Sequence, residues 1–202
     1  MDKEHTNSHT VTTLPLGGER GGGLHPLHLF RYCPLCGSSQ FVENNGKSKR
    51  CLDCGFVYYL NPSAATVAVI TNERGELLVV RRAKDPARGT LDLPGGFSDC
   101  YETSEHGVVR EVKEETGLDV DRVEFLFSIP NLYEYSGFTV HTIDMFYRCY
   151  VKTGDDIQAH AADDAAEVMW LRPENVNPAD FGLKSISKGV ERIKALLGET
   201  TI

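Results

Sequence analysis

Three glutamates in a five-residue run, Glu111, Glu114 and Glu115, offer the clearest chemistry in this 202-residue chain. Spacings of three and four residues put all three carboxylates on one helix face. Like charges so placed cost a bare helix about 0.2–0.5 kcal/mol per pair. The same clustering is what a hard divalent cation, magnesium or manganese, takes from a protein. The plain alternative is a solvated helix face, the commoner meaning of Glu-Val-Lys-Glu-Glu. The flanks support a helix: Thr103 can cap its start through the hydroxyl, and Gly117 can end it in the left-handed conformation.

The run belongs to a longer pattern. It reads Gly, five residues, Glu, seven residues, Arg-Glu, an aliphatic, any residue, Glu-Glu, any residue, Gly, an aliphatic. Gly96, Glu102, Arg110, Glu111, Val112, Glu114, Glu115, Gly117 and Leu118 carry it without a gap. At average composition such a coincidence arises with a probability on the order of 10⁻⁷ or less. The stretch is identified as a Nudix box, and residues 61–202 resemble a Nudix hydrolase domain. The resemblance implies an α/β fold, the Nudix α/β/α sandwich with a mixed sheet. It implies catalytic magnesium held by Glu111, Glu114 and Glu115, with the carbonyl of Gly95 joining the shell. Arg110 and Glu102 match the pair that braces the preceding loop onto the helix, and they complete the catalytic set. The implied reaction is metal-assisted hydrolysis of a diphosphate linkage, with one carboxylate as base, in the box or in a later loop. Asp163, Asp164 and Glu167 are the later candidates; a solvated acidic turn is the alternative for the first two.

A second group of ligand-type residues precedes the box. Cys33-Pro34-Leu35-Cys36-Gly37 and Cys51-Leu52-Asp53-Cys54-Gly55 are separated by fourteen residues. Each is a tight turn aiming two thiolates at one centre, and four thiolates close a tetrahedral zinc site with no open position. The expected role is structural, because a module of this size buries too little apolar surface alone. Residues 29–60 resemble the small zinc ribbons that precede some Nudix hydrolases, notably NADH pyrophosphatases.

Elements must position these groups. Residues 1–28, rich in glycine and with four histidines at irregular spacing, read as a disordered tail. Asn61-Pro62 marks a boundary. Residues 64–70 suit a strand buried on both faces, and Asn72 to Gly75 a turn, with residues 77–80 returning as its partner strand. Arg81 and Arg82 end that strand as candidate phosphate contacts, or as plain solvated charge. Residues 91–96 run as a short strand into the box. Residues 123–129 form a strand, followed by a polar-aromatic loop. Residues 139–151 form a long strand, its alternate side chains placing Cys149 in the core. Residues 167–171 form another strand, and Ile186, Val190, Ile193 and Leu197 mark an amphipathic C-terminal helix. Cys100 reads as a free thiol.

Composition, 41% hydrophobic and 25% charged, is that of a globular protein, and the net charge of −8 disfavours non-specific binding to nucleic acid or an anionic membrane. No apolar run reaches the length of a membrane span. The N-terminus lacks a signal-peptide plan, so a cytoplasmic protein is expected.

The expected substrate is a small nucleotide, a nucleoside diphosphate joined to another group, ADP-ribose or a related dinucleotide first. Residues 128–138 do not carry the Ser-Gln-Pro-Trp-Pro-Phe-Pro run of the NADH pyrophosphatase group. Pro130 lies twelve residues beyond Leu118, near the ADP-ribose pyrophosphatase proline, and Tyr135 seventeen beyond, near a tyrosine of diadenosine polyphosphate hydrolases. Tyr133, Tyr135 and Phe138 could each stack on a base, with core or loop packing as the alternative, and Tyr135 and Phe138 are the candidate base contacts. The competing class is a non-catalytic nucleotide sensor whose ribbon binds a partner or nucleic acid. A homodimer through the ribbon is a further reading.

Overall fold

The computed structural model describes residues 24–152 and 165–199. Its contacts divide the chain between Leu60 and Asn61 into two compact units.

In the first unit, β1 (Phe41–Asn45), β2 (Ser48–Cys51) and β3 (Val57–Tyr59) form an antiparallel sheet. Its core is small: Cys33, Phe41 and Cys51, with Phe30, Phe56 and Tyr58 packed against them. Gly37 and Gly55 sit just past the two cysteine pairs at φ 75° and 78°. Their amides donate to Cys33 O (2.8 Å) and Cys51 O (3.0 Å), closing both turns. Residues 24–28, placed by the sequence in the tail, are structured. Leu27 is fully buried, and the His25 imidazole donates from Nε2 to Asn45 O (2.8 Å) while Nδ1 accepts from Leu27 N. Residues 1–23 lie outside the described ones.

In the second unit, β4 (Ser63–Val69), β8 (Phe138–Val151) and β7 (Val120–Tyr135) make one sheet in the order β4-β8-β7. β4 and β8 run parallel, β7 and β8 antiparallel, so the sheet is mixed. A second, antiparallel sheet has the order β6-β5-β9, from β6 (Leu91–Asp92), β5 (Leu77–Arg82) and β9 (Ala165–Leu171). The expected pairing of residues 77–80 with the preceding strand is therefore corrected. The turn at Asn72–Gly75 forms, and Leu78 N donates to Ile70 O (2.9 Å), but the chain then crosses to the other sheet. Two doubly buried strands each gain more from a ladder on a fresh partner than from one short hairpin.

The polar-aromatic loop is also corrected. β7 continues through Tyr135, and a two-residue turn, Ser136 (φ 51°) and Gly137 (φ 75°), returns the chain as β8. Positive φ at both positions is the type I′ geometry that matches strand twist.

Helices α1 (Ser104–Thr116) and α2 (Lys184–Glu199) cover opposite sides. Val108 and Val112 of α1 pack with Ile70, Leu78, Tyr147 and Cys149. Ile186, Val190 and Ile193 of α2 pack with Val67, Val79, Phe127 and Phe146. The result is an α/β/α sandwich. Burial pushes the Cys149 thiol up to about 12, leaving it an apolar packing group.

Candidate active site

Helix α1 is built as its sequence requires. The Thr103 hydroxyl accepts from His106 N (3.2 Å), and Gly117, at φ 73°, donates from its amide to Lys113 O (3.0 Å). Gly107 is buried on the helix; a Cβ there would meet Glu102 Oε2 at 3.0 Å. A mid-helix glycine costs about 1 kcal/mol against alanine, and here it makes room for the brace.

That brace is Arg110. Its Nε and Nη2 donate to the two oxygens of Glu102, each at 3.0 Å, and Nη2 also to Phe97 O (3.1 Å). Nη1 donates to Glu111 Oε1 (2.8 Å) and Glu114 Oε2 (3.0 Å). One guanidinium thus ties the box loop to the helix and aligns two of the three glutamates. The Arg110 hydrogen bonds hold the Glu102 carboxyl down to about 2, and they push Arg110 further above its ordinary range. Burial raises Glu111 against the pull of Arg110.

The third glutamate, Glu115, is buried and accepts from Gly95 N (3.1 Å). The two glycines before the helix are fixed by close approach. A Cβ on Gly95 (φ 152°) would lie 2.1 Å from Thr66 O, and one on Gly96 would lie 2.6 Å from Glu111 Oε1. Glu111, Glu114, Glu115, Gly95 and Arg110 all line one cavity of about 380 Å³, within the range of small-molecule sites. A face of three carboxylates beside a backbone turn suits a hard divalent cation.

The Arg81–Arg82 pair is split. Successive strand residues point to opposite faces, and Arg82 lines the cavity while Arg81 turns away to pair with Glu167 across β5 and β9 (3.0 Å). Glu167 is thereby placed outside the cavity lining; Asp163 and Asp164 lie outside the described residues. Arg82 is itself engaged. It donates from Nε to Pro86 O (2.7 Å), from Nη1 to Asp92 Oδ2 (2.5 Å) and from Nη2 to Tyr133 OH (3.4 Å). Tyr135 is exposed and stacks on Tyr133, and Phe138 pairs with Tyr135 at the hairpin end. Neither lines the cavity; Tyr133 does, edge-to-face with Phe97 (5.7 Å).

Sequence reasoning missed Asp92 and Asp144, both buried and both on the cavity wall. Burial raises the Asp92 carboxyl, aided by the nearby Asp144 and opposed by Arg82. The available signal was a charged residue interrupting each apolar strand pattern.

In the first unit, the Sγ atoms of Cys33, Cys36, Cys51 and Cys54 lie within 4.8 Å of one another. Cys33–Cys54 and Cys36–Cys51 are separated by 3.7 and 3.6 Å. A tetrahedron with zinc–sulfur bonds of about 2.3 Å has edges of about 3.8 Å, so the donor set fits zinc.

No helix among the described residues is long and apolar enough to cross a membrane.

Comparison with known proteins agrees with this geometry. The family model described as the NUDIX domain matches residues 61–190. An ADP-ribose pyrophosphatase of Methanocaldococcus jannaschii is 33% identical over 136 residues, covering 67% of this chain and 77% of that protein. The NAD-capped RNA hydrolase NudC of Vibrio atlanticus is 32% identical over 108 residues, covering 52% of this chain but only 39% of that protein. Among solved structures, a NUDIX hydrolase from Nitrosomonas europaea superposes with a TM-score of 0.62 at 22% identity, covering 82% of this chain and 90% of that one; at that identity the likeness speaks for the fold. With the box, the sandwich and the family model coinciding on the same residues, the chain belongs to the Nudix hydrolase family.

Proposed function

We propose that the protein hydrolyses the diphosphate linkage of a nucleoside diphosphate joined to another group, ADP-ribose or a related dinucleotide first, with magnesium or manganese. One observation carries this reading: six carboxylates and two guanidiniums line the cavity. Their formal charge is near −4, and a doubly anionic diphosphate is repelled from such a site unless divalent cations are bound there. Glu111, Glu114, Glu115 and the Gly95 carbonyl would hold the ion. When bound, it neutralises phosphoryl oxygens and lowers the pKa of a coordinated water. Arg110 keeps Glu111 and Glu114 in register, and the Gly95 amide does the same for Glu115. Phe97 and Tyr133 supply an apolar wall at the same cavity.

The ADP-ribose preference draws on the Methanocaldococcus relative, and on the adenine nucleotide named for the Vibrio one. The four cysteines are proposed to hold structural zinc. The protein is proposed to work in the cytoplasm, on small nucleotides rather than on nucleic acid.

The test is a turnover panel with magnesium: ADP-ribose, NADH, a diadenosine polyphosphate, a nucleotide sugar, nucleoside triphosphates and an NAD-capped RNA, with products identified by mass. The double variant Glu114→Gln/Glu115→Gln is the blank. Release of AMP from ADP-ribose well above the other rates, silent in the blank, is expected. Tight nucleotide binding with no turnover of any compound would make the protein a sensor.

A further inference from the structure

The cavity holds a second polar group that phosphate hydrolysis does not use. Cross-strand register sets Asn131 opposite Thr142, and Asp144 two positions further along β8. Side chains two apart share a face, and Asn131, Tyr133, Thr142 and Asp144 all line the cavity. Asp144 is 5% exposed and is held rigidly: Thr142 Oγ1 donates to Oδ1 (2.6 Å), and Ser185 Oγ, at the start of α2, donates to Oδ2. A carboxylate accepts about four hydrogen bonds, so acceptor capacity remains on a group fixed by its neighbours. Asn131 is half-buried, and its amide has no hydrogen-bond partner among the described residues. An amide that can donate and accept, a locked carboxylate that accepts, and an aromatic ring share one concave wall.

Resting on the hydrolase reading above, we propose that Asp144 and Asn131 form a base subsite selective for a nucleoside with an exocyclic amine beside a ring nitrogen, as on adenine. The amine donates to Asp144, and the Asn131 amide donates to the ring nitrogen; asparagine and aspartate are the side chains that read these groups by geometry. The ring lies against Tyr133. An oxo group in place of the amine sets a lone pair against the Asp144 carboxylate and offers no donor to its remaining acceptor capacity, a repulsive arrangement that rejects the analogue.

The experiment compares kcat/KM for ADP-ribose and its hypoxanthine counterpart, alongside equilibrium binding of AMP and IMP to the full chain. The adenine compounds are expected to be favoured at least about tenfold in both readouts. Asp144→Asn is expected to bring the ratio to within about threefold. Because Asp144 also receives Thr142 and Ser185, Asn131→Ala is the companion variant. It removes no side-chain hydrogen bond among the described residues, and its expected effect is a raised KM for ADP-ribose, a reduced adenine preference and an unchanged Tm. Equal use of the two bases by the wild type, or a ratio unmoved in both variants, overturns the subsite. Absence of turnover on both substrates contradicts the hydrolase reading alone, since the AMP-to-IMP binding ratio still scores the subsite.

Discussion

Arg110 has the most demanding position in the site, with one planar fork serving Glu102, Glu111, Glu114 and the Phe97 carbonyl. Lysine cannot reproduce that geometry, so Arg110→Lys is expected to lower kcat/KM by about ten- to a hundredfold while the chain stays folded. Its partner makes a pH prediction. Glu102 titrates at about 2 in the folded chain, against about 4.3 when unfolded. The folded state therefore binds fewer protons between those values. The stabilisation is whole above pH about 4.3 and is lost as pH falls toward 2. The denaturation midpoints of wild type and Glu102→Gln should differ at pH 7 and converge near pH 2; a constant offset would contradict the brace. The box residues were legible because their spacing along the chain is itself the signal. Arg81 and Arg82 stay between phosphate contact and solvated charge until the pair is weighed with the alternation of the strand beneath it, which turns only Arg82 to the cavity. Asp92 and Asp144 gain their meaning only from tertiary packing, since the residues that face them come from distant strands and from α2.

At the scale of elements, α1 was readable from its ends. Thr103→Ala should cost about 1 kcal/mol of stability through loss of the cap, measured by denaturant titration. The β7–β8 hairpin was not readable, because Ser136-Gly137 is a quieter turn signal than Asn-Gly. The structure keeps Pro130 inside the long strand and sets Gly137 at positive φ in the turn. Gly137→Ala at φ 75° is expected to destabilise by about 1 kcal/mol or more, with the loss seen first as hydrogen exchange in the hairpin. Gly95 is stricter still. Gly95→Ala brings a Cβ to within 2.1 Å of a backbone oxygen, and a loss of about 2–3 kcal/mol or more is expected. Stability within 0.5 kcal/mol of wild type would mean that the loop does not pass where it is described.

At the scale of the whole molecule, the chain joins two units with different sources of stability. The sandwich buries two apolar clusters, one under each helix. Among its described residues the first unit buries little apolar surface beyond Cys33, Phe41, Cys51 and Leu27, so the zinc proposed for its four cysteines would supply much of its stability. Chelation is expected to release about one zinc per chain, expose four thiols and abolish amide protection across β1–β3. Retained protection with the thiols titrating freely would contradict the zinc site. The central claim concerns the carboxylate face of the other unit, and Glu115→Gln probes it most directly, with ADP-ribose hydrolysis followed across a magnesium titration. A fall in kcat of at least about a hundredfold, with the Tm kept within a few degrees, is the predicted result; turnover within about twofold of wild type would contradict it.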